Sequence, residues 1–148
     1  MIALLYIHLL AATAWIGGSI FMFALGVTLR DKQKQEAVYP VIGPIFGYFE
    51  VASLVILLIS GILMAMDDGL LKLVFEGNQS HVVDLLRTKL WFVLIIVIAS
   101  ILHFSIALKT NDKKRTKLEH MLSRSSSMLI FILNLVVLYY AIRLIMAL

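Results

Sequence analysis

Cysteine is missing from this chain, which removes disulfides, thiolate metal sites and iron–sulfur clusters, so any redox chemistry must come from a bound cofactor. Charge is scarce as well. Only 15% of the 148 residues are Asp, Glu, Lys or Arg, against roughly 25% in a soluble domain. No nucleophile with a matching base, no phosphate-binding loop and no metalloprotease motif occurs, so the sequence gives no support to hydrolytic or phosphoryl-transfer chemistry. The net charge of +4 is not a nucleic-acid footprint, because the positive residues sit in loops beside apolar runs and form no patch with interleaved aromatics. There is no internal repeat and no low-complexity segment.

What is present in quantity is hydrocarbon: 61% of the residues are hydrophobic and the mean hydropathy is +0.99, which belongs in a bilayer. Apolar runs at about 2–29, 41–66, 90–108 and 128–148 are each near the roughly 20 residues needed to cross. The first run has no basic segment before it and exceeds the core of a signal peptide, so it is expected to be retained as a helix. Four spans with short connections predict an all-α fold, an integral membrane antiparallel four-helix bundle forming one domain over 1–148. Between the second and third spans, 67–89 reads as short amphipathic pieces lying at the interface.

Of thirteen Lys and Arg residues, nine fall in the first and third loops: Arg30, Lys32, Lys34, Lys109, Lys113, Lys114, Arg115, Lys117 and Arg124. The positive-inside rule puts those loops in the cytoplasm and both termini outside.

Polar residues inside such spans are informative because burying them in lipid is costly. They are His8, Glu50, His103, Asn134 and Arg143, with Lys89 at the mouth of the third span and Trp15 in the middle of the first. His8, Ala11, Trp15, Gly18 and Ser19 share one helical stripe, and Ala14 with Gly18 forms a small-residue packing pair. His8 is then either a packing histidine bonded to a neighbour or a ligand to heme or metal. Lys89 and His103 are 14 residues apart, almost four whole turns, and face one interior. Lys89 either snorkels to the headgroups or serves that interior, and His103 either bonds Glu50 or Asn134 or acts as a ligand. Glu50 shares a face with Ser53, Leu57, Gly61 and Met64, and it is a candidate for proton relay or cation binding. Arg143 reaches the outer surface by snorkelling or contacts a heme propionate. Met1, Met64, Met66 and Met146 gather toward the same side, either as packing or as copper(I) thioether ligands. By helix rise the two histidines differ in depth by about 10–15 Å, which predicts two sites in place of one shared iron.

The stretch Tyr6-Ile7-His8 through Trp15-Ile16-Gly17-Gly18 resembles the first helix of the bacterial copper-resistance D family. It is also similar to the four-helix membrane protoporphyrinogen oxidases, and Ser60-Gly61-Ile62-Leu63-Met64 and Lys89 fit that broader group. The resemblance implies a multi-pass protein of the bacterial inner membrane with a heme b or copper role, in which His8 and the Lys89/His103 helix are the functional elements. Three functions are therefore expected in order. The first is a heme b redox protein, a candidate oxidoreductase, that binds through His8, His103, Lys89, Arg143 and Trp15 and works on a quinone or tetrapyrrole substrate, with Glu50 supplying protons. The second is a copper-handling or transport protein using His8, Met64 and His103. The third is a structural subunit acting as a homo-oligomer or with a membrane-complex partner.

Overall fold

The computed structural model describes residues 2–110 and 116–148, leaving aside the side chain of His120. Met1, Lys113, Lys114 and Arg115, named above, lie outside the described residues. The elements are α1 (Ile2–Thr28), α2 (Lys32–Asp67), α3 (Leu70–Phe75), α4 (His81–Lys109) and α5 (Lys117–Ala147), with no strand among the described residues. Four of them are long and apolar enough to cross a membrane, and only 17–22% of each apolar window is buried inside the bundle. Most of the hydrocarbon therefore faces outward, as at Ile59, Leu102 and Ile132, and needs an apolar surround. The chain is built as a multi-pass membrane protein.

Helix ends follow local chemistry more than hydropathy. The second helix begins at Lys32, nine residues before the apolar run at 41, because the Asp31 side chain accepts the Gln33 amide at 2.9 Å. Pro40 and Pro44 therefore sit inside α2. Neither can donate to the carbonyl four residues back, at Glu36 and Pro40 respectively, and the helix carries that loss in its N-terminal third. Similarly, α5 begins at Lys117, before the run at 128, on a reciprocal cap. Thr116 accepts the Glu119 amide at 3.2 Å and Glu119 accepts the Thr116 amide at 2.9 Å. The segment 67–89 is α3 plus the first turns of α4, entered through Gly69 at φ 71° and left through Gly77 at φ 73°. Both glycines occupy the left-handed region that a Cβ disfavours.

The connection 29–31 is so short that α1 and α2 must pack side by side and antiparallel. In the same way α4 packs along α5, and the two hairpins close into a bundle through α1–α5 and the looser α2–α4 seam. Both chain termini and the α2–α4 connection share one end, here the terminal end, and the other two connections mark the hairpin end. The middle of the bundle is a dry layer of Trp15, Leu54, Ile96, Ala99, Ile130 and Leu133. A second cluster caps the terminal end, where Leu70 of α3 packs with Leu85, Leu86 and Leu144. The pieces read as interfacial in the sequence thus form a lid anchored by hydrophobic contact.

Close approach of α1 and α2 depends on Gly18. A Cβ there would stand 2.8 Å from Phe46 Cζ, whereas nothing lies within 4 Å of one added at the adjacent Gly17. Gly18→Leu is expected to destabilise the bundle by about 1–3 kcal/mol, through overpacking, and Gly17→Ala to leave it unchanged or slightly firmer. Thermal unfolding of the two variants in detergent checks the contrast.

Candidate functional site

The interior polar residues fall into three levels along the bundle. At the terminal end, His8 of α1 lies against Ser60 and Gly61 of α2. The ring Nδ1 is 2.9 Å from Ser60 Oγ, and a Cβ on Gly61 would meet His8 Cε1 at 3.0 Å. Gly61 therefore makes room for the ring. The Ser60 hydroxyl has one proton, and it is directed to the Ile56 carbonyl at 2.7 Å, with the Leu57 carbonyl at 3.2 Å. Ser60 Oγ must then accept from the ring. With the serine proton on Ile56, the ring carries its own proton on Nδ1 and keeps the Nε2 lone pair for another group. Lys89 of α4, half-buried, is within coulombic range of the same ring. Among the described residues no carboxylate comes within ion-pair distance of it. The terminal level thus combines an oriented imidazole lone pair with an uncompensated cation.

At the middle level, Trp15 Nε1 donates to Asn134 Oδ1 at 2.8 Å across the α1–α5 seam, and both residues are 3% exposed. Because an indole N–H can only donate, it must face the amide oxygen, which fixes the orientation of Asn134. The Asn134 Nδ2 has no partner among the described residues. An unpaired buried donor of this kind costs about 1–3 kcal/mol, so the pair is a specific feature of the core and not neutral filling.

Toward the hairpin end, Glu50 is half-buried on α2. It sits one turn from Phe46, which meets α1 at Gly18, and one turn from Leu54 in the dry layer. Its helical phase therefore points between α1 and α4, into the bundle. Among the described residues it has neither a hydrogen bond nor an ion pair. His103 of α4 was read either as bonded to Glu50 or Asn134 or as a ligand. Instead its Nδ1 meets the Ser123 carbonyl at 3.1 Å and Ser126 Oγ at 3.2 Å, both on α5. Asn134 is already engaged by Trp15, and the phase of His103 turns it into the tight α4–α5 seam.

These levels keep the two histidines apart. Lys89, near His8, precedes His103 by 14 residues of one helix, a rise of about 21 Å. Axial ligands of one iron must face each other at one level, so His8 and His103 do not form a pair on one metal. The remaining expected residues lie toward the terminal end. Met64 follows Gly61 by one turn of α2 and is half-buried, whereas Met66 and Met146 are exposed. Arg143 is exposed and donates to Tyr139 Oη at 3.2 Å. Among the described residues no three His, Asp or Glu side chains converge as a metal site. The α2–α4 seam holds a groove of about 270 Å³, almost wholly apolar, bordered by Leu54, Val97, Ser100 and Phe104.

Three partners were not anticipated from the sequence: Ser60, Ser123 and Ser126. No protein-family model, curated protein or solved structure matches the chain.

Trp15 and Asn134 should behave as a coupled pair. Trp15→Phe leaves both ends of the Asn134 amide unpaired, and Asn134→Leu strands the indole N–H, so each single change is expected to destabilise by about 1–3 kcal/mol or more. The double variant should be more stable than the sum of the two, with a coupling energy of about 0.5–3 kcal/mol. A thermal-unfolding double-mutant cycle in detergent measures it, and strictly additive effects would refute the pairing.

Proposed function

We propose that the protein is a small heme b-binding redox protein of the bacterial inner membrane, with His8 as its iron ligand and Lys89 as the cation facing the heme carboxylates. The observation that supports this reading is the tethered imidazole, with Nδ1 on Ser60 and Nε2 left to bind, beside a cation that has no ion-pair partner among the described residues. A histidine ligand usually has its second nitrogen fixed in this manner, which sets both the tautomer and the ring plane. When bound, heme supplies one-electron chemistry that the side chains of this chain cannot. His103, about 20 Å along the axis by helix rise, takes no part in the same ligation. By the positive-inside rule the hairpin end, with Arg30, Lys32, Lys34, Lys109, Lys117 and Arg124, faces the cytoplasm. Glu50, free of any ion pair, acts from that side as the proton-carrying group for a quinone or tetrapyrrole substrate.

The choice of heme over copper rests on Lys89. An ammonium near His8 opposes a bare copper(I) ion, whereas it compensates the carboxylates of a porphyrin. Of the methionines at this end, Met66 and Met146 are exposed on different helices, which leaves Met64, half-buried one turn from Gly61, as the sulfur nearest His8 along α2.

Protein produced with heme available and purified in detergent should show a Soret band and sharp reduced α and β bands. His8→Ala is expected to lose nearly all bound heme. Ser60→Ala should weaken retention about 10–100-fold, by removing the group that orients the ligand, and His103→Ala should keep it. A wild-type protein without heme, or His8→Ala with full heme content, would refute the proposal.

A further inference from the structure

The terminal end carries a second polar feature that the heme reading does not use. A concavity of about 480 Å³ opens between the start of α4 and the last turns of α5, lined by His81, Arg143, Met146 and Ala147. At its base Ala147 packs on the cluster of Leu70, Leu85, Leu86 and Leu144. The lining is unusual in charge. Arg143 contributes a guanidinium whose one hydrogen bond among the described residues goes to Tyr139 Oη, and His81 contributes an imidazole able to donate. No acid lines the pocket. The acids nearest in sequence are occupied elsewhere: Asp84 pairs with Arg87 at 3.0 Å, and Glu76 with Lys72 at 3.7 Å. Asp67 and Asp68 end α2, which stands diagonally across the bundle from α5. Nothing among the described residues therefore neutralises Arg143.

The other half of the site is apolar. Met146 lines it at 79% exposure, and Ile142 and Ile145 are exposed on the face of α5 beside Met146. A free inorganic anion would use the cations and leave that surface unused. An amphiphile with an anionic phosphate at one end and a hydrocarbon chain at the other uses both. The position also suits such a ligand, since His81 and Arg143 lie at the ends of two membrane-length helices, where lipid headgroups gather.

We infer that this concavity is a binding site for the phosphate headgroup of an anionic phospholipid, with Arg143 and His81 as its donors and the Ile142–Ile145–Met146 surface as the seat of an acyl chain. The guanidinium offers paired N–H donors in a fork that matches two phosphate oxygens, and the imidazole adds a third. The site is separate from His8 and does not depend on the identity of the cofactor.

Native mass spectrometry and thermal unfolding of the full chain in detergent test this, with phosphatidylglycerol, phosphatidylcholine or inorganic phosphate added. Wild-type protein should retain one phosphatidylglycerol and unfold at a higher temperature with it than with phosphatidylcholine. Arg143→Gln is expected to bind it about tenfold more weakly, and His81→Ala a few-fold more weakly, since each removes a charge-assisted donor from an exposed position. Equal stabilisation by both lipids, or full retention by Arg143→Gln, would overturn the proposal. Stabilisation by inorganic phosphate equal to that by phosphatidylglycerol would overturn the lipid assignment in favour of a soluble anion. Helical circular dichroism of each variant confirms that any loss is of binding and not of fold.

Discussion

Scarcity of water governs this structure. In a bundle whose exterior is hydrocarbon, a polar group turned inward must find its partner inside, and each one that succeeds fixes two helices relative to each other. Trp15 and Asn134 do this for α1 and α5, His8 and Ser60 for α1 and α2, and His103 with Ser123 and Ser126 for α4 and α5. Apolar packing supplies most of the contact between helices but little of the specificity, because a Leu or Ile face accepts many rotations. The hydrogen bonds select one. Asn134 shows the cost of this selection, with its oxygen bonded and its amide nitrogen left without a partner in the driest layer of the bundle.

That layer also divides the molecule chemically. Toward the terminal end stand an imidazole with an open Nε2 and an uncompensated ammonium. Toward the hairpin end stand an unpaired carboxyl and a second histidine. The two groups of residues are not alternative ligands for one centre, because a rise of about 20 Å and the Trp15 layer lie between them. Under the proposed redox function this separation would have a use, since a cofactor held near His8 and protons carried near Glu50 would be handled from opposite sides without direct exchange between them.

Much of this was legible in the sequence, for identifiable reasons. The four helices follow from apolar run length, and the interior polar residues stand out because they are rare in such runs. The depth argument from helix rise correctly kept His8 and His103 apart. Helix starts were less legible: hydropathy locates apolar residues, whereas α2 and α5 begin where Asp31 and Thr116 cap them, well before the apolar runs. The partners of the histidines were missed because serine is uninformative in a membrane helix. Ser60 differs from Ser53 only in standing level with His8 across a hairpin, and that level depends on the register of α1 against α2. The three-residue connection 29–31 was the available signal, since a connection so short restricts which residues can meet. Trp15 was correctly singled out as buried, but its bond to Asn134 links residues 119 apart in sequence, and no local pattern encodes it.

The account rests most directly on the tautomer of His8, because an imidazole protonated at Nδ1 is what leaves Nε2 to bind iron. Nitrogen-15 NMR of histidine-labelled, heme-free protein in lipid bilayers, compared with His8→Ala to assign the signal, measures it. A protonated Nδ1 that loses its hydrogen bond in Ser60→Ala, together with an unprotonated Nε2, is the predicted result. A His8 ring protonated at Nε2, with Nδ1 accepting from Ser60, would contradict the account.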